Sequence, residues 1–429
     1  MMQKSFFYFL LFALSTAFHT HPFELKTRSK SVVLIDAESG KILYEKNAHS
    51  LLPPASTTKI ATAAYVLSKL NETNLDDLIE ANPEALSMAS KSYKKKMAYS
   101  CRPYLLEPDG TSLDIIKFEK LSYRVLLHGL MMASANDAAN VLAYHVGNKK
   151  IETFMDQMNV YLKKIGCSKT QFFNPHGLHH PQHLTTSYEL ALIAIEAKKN
   201  KLFCDIVKTL TYTRPKTNKS EERNFSQHNR LMIEGDFYYP LATGIKTGYT
   251  EDANYCLVAS AENGKRSLIA VVLGSPTPQE RYSDVIELFN QAFEEVPINH
   301  KVYDCQNTTF QFFHPDARKI VNLKLSEDIQ LKYYSSTKPI ISSKISFSNS
   351  KPPFFIGQNL GELAIILDND VVLTQRLFAI EDVPLKRSLE ILKRVKGNFL
   401  LIIFVFFSIN FFLYVAIKKR KDLISIFLR

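Results

Sequence analysis

The chain alternates between two hydrophobic periods, and the switches between them mark its elements. Ser31–Asp36 is a run rich in β-branched residues. After the turn residues Glu38-Ser39-Gly40-Lys41, residues 42–45 return as Ile-Leu-Tyr-Glu, which predicts a β-hairpin. From Ser56 the period lengthens, and Ile60, Ala63, Ala64 and Leu67 form a helical stripe. Residues 121–132 predict a strongly apolar helix. The polar break Ala133-Ser134-Ala135-Asn136-Asp137 ends it, and residues 138–146 resume as a second helix. Asn174-Pro175-His176-Gly177-Leu178 is a turn, and residues 185–197 form a helix capped by Thr186 or Ser187 with Glu189 in its first turn. Two apolar runs, residues 255–261 and 267–273, flank Glu262-Asn263-Gly264-Lys265 and predict a second hairpin, with Lys246-Thr247-Gly248 on the adjoining strand. Beyond residue 298 the helical period disappears. Short strand-like runs at 308–313, 320–325, 330–334, 340–347 and 363–367 predict an all-β module reaching to about residue 383.

The two ends of the chain differ from its body. Lys4 precedes the apolar run of residues 6–18, followed by Ser15-Thr16-Ala17 as a small-residue cleavage site, so residues 1–17 are expected to be an export signal rather than an anchor. Residues 399–417 are 19 consecutive residues without a charge, close to the roughly 20 a membrane-spanning helix needs. Lys418-Lys419-Arg420-Lys421 follows at once as a positive-inside flank. Upstream, Leu385, Leu389, Leu392 and Val395 alternate with Lys386, Arg387, Lys393 and Lys396 in a basic amphipathic stripe. The expected order is thus a signal (1–17), a catalytic domain (24–297), a β spacer (298–383), a juxtamembrane segment (384–398), a span (399–417) and a short cytoplasmic tail (418–429). The body then lies outside the cytoplasm.

This layout accounts for the charge. The net charge is +11, but residues 386–429 carry ten Lys or Arg against two acids, Glu390 and Asp422, so most of the excess flanks the apolar end. With no zinc-finger spacing or RNA-binding signature in the body, nucleic acid is not an expected partner. The 46% apolar content is that of a folded protein of two or three domains. Five cysteines, at 101, 167, 204, 256 and 305, are widely spaced with no C-x-x-C pair. They read as small buried side chains, and an exported chain with five leaves at least one thiol unpaired. His176, His179, His180 and His183 cluster around one turn, but their spacing fits no zinc pattern and reads as a hydrogen-bonded loop, so neither metal nor cofactor is expected. Residues 87–101, with Lys94-Lys95-Lys96, read as a solvated loop or, alternatively, a contact for an anionic polymer.

Three short stretches carry candidate chemistry. Ser56 and Lys59 are three apart, so they share one helix face. A serine hydroxyl is a weak nucleophile that needs an adjacent base, and a desolvated neutral lysine serves. The bland alternative is a helix cap with a lysine in water. Ser134 and Asn136 sit two apart in the break between two apolar helices, either capping the second helix or presenting a hydroxyl and an amide to a cleft. In Lys246-Thr247-Gly248, Gly248 allows close approach of a ligand backbone; otherwise this is an edge strand with a solvated lysine.

Taken in order, Ser-x-x-Lys, Ser-x-Asn and Lys-Thr-Gly resemble the motif set of the penicillin-recognising serine acyl enzymes. The flanking Asp36-Ala37-Glu38-Ser39-Gly40-Lys41, Ser134-Ala135-Asn136-Asp137-Ala138-Ala139, Asn174-Pro175-His176-Gly177-Leu178 and residues 243–250 resemble the low-molecular-mass D-alanyl-D-alanine carboxypeptidases. The resemblance covers about residues 31–296. It implies an α/β (α+β) penicillin-binding, β-lactamase-like transpeptidase fold: a five-stranded antiparallel sheet with helices on both faces. It also implies Ser56 as nucleophile, Lys59 as base with its pKa lowered by burial near Lys246, and Ser134 as proton relay. Asn136 would orient Lys59 and the substrate, and the backbone N–H groups of Ser56 and Tyr249 would form an oxyanion hole. Lys246, Thr247 and Arg281 would face a terminal carboxylate. The implied substrate is the peptidoglycan stem peptide, with β-lactams as covalent inhibitors.

The sequence departs from the family pattern at Glu189, where relatives often carry Asp, and at His228, where some carry Arg. Residues 87–112 match poorly and are expected at a divergent rim of the cleft. The expected activity is that of a membrane-anchored D-Ala-D-Ala carboxypeptidase. The alternatives are a D,D-endopeptidase using the same chemistry, an idle peptidoglycan-binding scaffold and a class A-like β-lactamase. An idle binder has no need of a lysine base, and a class A enzyme carries an additional glutamate and normally no β module or anchor.

Overall fold

The structure, a computed structural model, describes residues 23–337 and 339–427; within the last helix it leaves the side chains of residues 397, 400, 401, 412–414 and 416–427 undescribed. The expected export signal lies outside the described residues. The chain divides into two compact units, one ending at Val296 and one beginning at Pro297.

The first unit is built on a five-stranded sheet. Its strands are β1 (Ser31–Asp36), β2 (Ile42–Lys46), β3 (Ala242–Thr250), β4 (Asn254–Glu262) and β5 (Ser267–Ser275), in spatial order β2-β1-β5-β4-β3. Every pairing is antiparallel. β1 is buried along its whole length, because both sheet faces are covered. Val33 and Ile35 point into one core and Val32 and Leu34 into the other. The first core is formed with helices α1 (Lys59–Leu67), α2 (Tyr123–Met131), α3 (Asn136–Val146) and α4 (Ser187–Lys198). The second is closed by α5 (Pro278–Glu294), whose Tyr282, Val285, Leu288, Phe289 and Ala292 are buried on it. α5 starts on a Thr277 cap, whose hydroxyl accepts from Glu280 N, with proline next.

Several boundaries moved. The helix expected over residues 121–132 begins at Tyr123, because Lys120–Ser122 pairs as a strand with Leu78–Glu80. Ser122 is the cap, its hydroxyl accepting from Val125 N. The loop expected around Lys94-Lys95-Lys96 is instead a short helix, Lys91–Lys96, capped by Ser90. Lys94 is buried and bonds Glu107 at 2.9 Å and the Leu105 carbonyl at 2.7 Å, whereas Lys95 and Lys96 are exposed as a solvated run would be.

Up to its final helix the second unit is β-structured apart from a 3-10 turn, Ser335–Thr337. A five-stranded antiparallel sheet is built from Phe310–Phe312, Val321–Lys324, Asp370–Ala379, Asn359–Leu367 and Ile341–Phe347 in that spatial order. Ile298–Tyr303 pairs separately with Ile329–Tyr333. Val321, Leu323, Phe354, Leu360, Leu363, Ile365 and Leu377 fill its core. A helix over Arg387–Phe427 follows. Among the described residues no helix is long and apolar enough to cross a membrane. The expected span, residues 399–417, falls partly on positions whose side chains are not described.

Candidate active site

The three motifs converge at the β3 edge of the sheet. Ala55–Thr58 forms one 3-10 turn that runs directly into α1, so Ser56 ends the approach and Lys59 opens the helix. The preceding Ala55 has φ +50°, a left-handed conformation that turns the chain sharply before the serine. Gly177 (φ +90°) lies so close that a Cβ there would stand 2.0 Å from the Ala55 carbonyl oxygen. Gly248 of β3 lies on the same turn: a Cβ there would be 3.0 Å from Ser56 N and 3.1 Å from Pro54 O. The close approach that this glycine allows is to the chain's own serine turn.

Lys59 is fully buried. Its Nζ lies 2.9 Å from Ser56 Oγ, 2.7 Å from Asn136 Oδ1 and 2.6 Å from the His176 carbonyl oxygen. Burial, and then the positive charge of Lys246, hold its pKa well below the usual lysine value. Lys246 is also buried, donates to the Thr247 carbonyl at 3.0 Å, and is brought down to about 7 by burial and by Arg281. Neither of the solvated-lysine alternatives describes these two side chains.

Ser134 sits at φ +59° between α2 and α3, and its carbonyl accepts from Thr111 Oγ1 at 2.6 Å. Among the described residues its hydroxyl makes no hydrogen bond. Asn136 N in turn donates to Thr111 O at 2.9 Å. Asp137, also buried, accepts from Leu113 N at 3.0 Å, Ile115 N at 3.1 Å and Ala138 N at 2.8 Å. These bonds fasten residues 111–115 to the start of α3, and burial raises the Asp137 pKa. Ser56, Ser134, Asn136, Thr247, Gly248, Tyr249 and Arg281 all line one cleft of about 480 Å³. Arg281 donates to the carbonyls of Gly248 and Cys256 at 3.2 Å each, and its guanidinium lies over the rings of Tyr255 and Tyr282. It is therefore held at the cleft wall by carbonyls of β3 and β4 and is not a free surface arginine.

A family model described as peptidase S11, D-alanyl-D-alanine carboxypeptidase, matches residues 16–277. The D-alanyl-D-alanine carboxypeptidase DacF of Bacillus subtilis is 31% identical over 384 residues, covering 87% of this chain and 91% of its own. The chain belongs to the peptidase S11 family. It is a serine-type D-Ala-D-Ala carboxypeptidase. A Streptomyces sp. D-alanyl-D-alanine carboxypeptidase is 32% identical over 59% of this chain and 84% of its own. The solved Streptomyces K15 DD-transpeptidase is 28% identical, with a TM-score of 0.54 over 63% of this chain and 98% of its own. The D-alanyl-D-alanine carboxypeptidase DacD of Francisella tularensis, at 24% identity, shares the fold, with a TM-score of 0.58 over 87% of this chain and 97% of its own.

In this S11 enzyme the stretch of residues 87–112, expected at the rim of the cleft, contributes Lys91, Glu107, Asp109, Gly110 and Thr111 to its lining. His228 lines it too, and burial and Lys246 lower its pKa. Glu189 does not reach the cleft; its carboxylate accepts from Lys169 N and Thr170 Oγ1 and ties α4 to that loop. Two contributors were not anticipated. The His176 carbonyl bonds Lys59, and Asp137 anchors the Thr111 loop. The only sequence signal for either was its position inside a motif already singled out. The histidines are held individually: His183 stacks on Phe172 and bonds Thr58 Oγ1 at 2.9 Å, and His180 stacks on Phe173. All five thiols are free.

Proposed function

We propose that this enzyme removes the terminal D-alanine of peptidoglycan stem peptides through an acyl-enzyme on Ser56. The reading is carried by the buried Lys59 amine 2.9 Å from the Ser56 hydroxyl. A neutral amine has two N–H bonds and one lone pair. Asn136 Oδ1 and the His176 carbonyl each take one N–H, which leaves the lone pair for the hydroxyl proton. Ser56 Oγ then attacks the carbonyl of the penultimate D-alanine and Lys59 takes the proton. Ser134 relays that proton from Lys59 to the leaving D-alanine amine as the peptide bond breaks, so that Lys59 is neutral again, then helps activate the water that hydrolyses the ester. The backbone N–H groups of Ser56 and Tyr249 receive the oxyanion, each contributing about 2.7–4 kcal/mol to such a transition state. Lys246, Thr247 and Arg281 hold the terminal carboxylate, and Asn136 orients both Lys59 and the substrate amide. A β-lactam is attacked in the same way, but its leaving nitrogen stays tethered, so the acyl-enzyme persists.

The catalytic unit works outside the cytoplasm behind a cleaved signal of residues 1–17, with residues 298–383 as spacer. Residues 399–417 anchor it as a single span ahead of the basic tail, 418–429. The uncharged run and the exposure of Phe399, Ile402, Phe404, Phe406 and Phe407 support this anchoring. The test uses full-length protein in detergent and an N-acylated peptide ending in D-Ala-D-Ala. Wild type releases free D-alanine and Ser56→Ala does not; equal release by both contradicts the reading.

A further inference from the structure

The β unit carries an apolar tip that its own core does not use. Residues 354–358 read Phe-Phe-Ile-Gly-Gln. Phe354 is buried in the core, but the next two residues turn outward, Phe355 with 60% and Ile356 with 67% of its surface exposed. They occupy a tight turn closed by Gln358 N donating to Phe355 O at 3.0 Å. Exposed turns commonly leave their backbone donors to water. Here the donors are satisfied within the protein. Phe355 N donates to Gln358 Oε1 at 3.0 Å, Ile356 N to Asp382 Oδ1 at 2.8 Å, and Gly357 N to Ala379 O at 2.7 Å. A protruding turn with exposed apolar side chains and internally bonded N–H groups loses little hydrogen bonding when it leaves water for lipid.

The second observation is where this turn is tied. Phe354 and Val383 exchange both backbone hydrogen bonds, at 2.9 Å each. Pro384 O accepts from Arg318 N, and Lys386 N donates to Asp316 O, so the chain is fixed to the β unit up to the residue before the C-terminal helix starts at Arg387. The apolar tip is therefore bonded to residues 379–383, the stretch that leads into the helix. Around them stand Lys351, Lys386 and Arg387, all exposed. Of the acids nearby, Glu381 is bound to Lys319 and Asn322, Asp382 accepts from the turn, and Asp316 and Glu390 flank Lys386, while the exposed Lys393, Arg394 and Lys396 keep the first turns of the helix basic. This is the chemistry of an interfacial contact: apolar side chains to enter the headgroup boundary and cations for anionic lipid.

We propose that the Phe355–Ile356 turn docks on the surface of an anionic bilayer, giving the β unit a second membrane contact beside the root of its helix. The proposal rests on the reading of residues 399–417 as the membrane anchor. The second contact adds a restraint on the orientation of the unit relative to the bilayer.

The chain contains no tryptophan, so a single introduced indole reports its own surroundings. Full-length Phe355→Trp, Phe404→Trp and Ile340→Trp are reconstituted into vesicles containing phosphatidylglycerol, with lipids brominated at different acyl depths. Phe404→Trp tests the anchor. Ile340 is exposed at the far end of the strand pair that begins next to the turn, and serves as the distant control. The expected result is a loss of Phe355→Trp emission with bromines nearest the headgroup, consistent with insertion of about 5–10 Å. Phe404→Trp is quenched by deeper bromines and Ile340→Trp by none. Quenching of Phe404→Trp without Phe355→Trp overturns the docking tip and leaves the anchor standing. Absence of quenching at both overturns the anchor and the tip together. Equal quenching of Ile340→Trp and Phe355→Trp also overturns the proposal, because the β unit would then lie on the bilayer without using the turn.

Discussion

Lys59 Nζ stands 2.9 Å from Ser56 Oγ, on a side chain with no exposure to solvent. The pairing is effective only if the lysine is neutral, and burial beside Lys246 supplies that condition. Replacing Lys59 with Met keeps the length and the apolar stem and removes the base together with its bonds to Asn136 Oδ1 and the His176 carbonyl. Acylation by a labelled penicillin is expected to slow by about 10²–10⁴-fold, the usual worth of a positioned general base. Circular dichroism should show the fold retained.

The two lysines predict opposite limbs in the pH profile. Lys59 must be neutral, so kcat/KM rises as pH climbs through its depressed pKa. In the proposed mechanism Lys246 must be charged to hold a carboxylate, and with its pKa brought down to about 7 it loses that charge as pH passes that value. A bell-shaped profile is expected, with its alkaline limb well below the ordinary lysine value. Arg281 is one of the two causes of the Lys246 shift, so Arg281→Leu should move the alkaline limb upward while weakening KM. A limb unchanged in Arg281→Leu would contradict the coupling.

Gly248 is expected to be intolerant of any side chain. A Cβ there would meet Ser56 N at 3.0 Å, Pro54 O at 3.1 Å and Ala55 Cβ at 3.2 Å. Gly248→Ala should displace the serine turn, and a shift of 1 Å is enough to cost about 10²-fold in rate. The same overpacking should lower stability by about 1–3 kcal/mol, read from urea unfolding.

Asp137 is expected to matter through position. Its carboxylate receives Leu113 N, Ile115 N and Ala138 N, and residues 111–115 in turn hold Ser134 and Asn136. Asp137→Ala leaves these buried donors without an acceptor, at about 1–3 kcal/mol for each that finds no water. Unfolding in urea should occur at lower concentration, and kcat should fall more than KM rises.

The sequence was most legible where local pattern and tertiary demand coincide. The β-branched run of β1 is buried on both faces, and Thr186 caps α4 as its position suggested, accepting from Glu189 N. Ser56 and Lys59 could be paired because their spacing alone places them on one face. The misreadings are long-range. Lys94 looked solvated because its neutralising partner, Glu107, lies thirteen residues on, beyond any helical period. Gly248 lines the cleft, but its second demand, clearance for the Pro54–Ser56 turn almost two hundred residues earlier, has no local sequence signal. The start of α2 was misplaced because Leu121 belongs to a strand whose partner, Leu78–Glu80, is far upstream. The His176 carbonyl is a backbone atom, invisible to any reading of side-chain motifs.

The central claim is that Ser56 carries the acyl group with Lys59 as its base. The most direct measurement is peptide mass analysis of the full-length protein after incubation with a penicillin, for wild type, Ser56→Ala and Lys59→Met. The account predicts the mass of one penicillin on the wild-type peptide that contains Ser56, the same adduct formed slowly in Lys59→Met, and none in Ser56→Ala. An adduct on any other residue, or one that persists in Ser56→Ala, would contradict it.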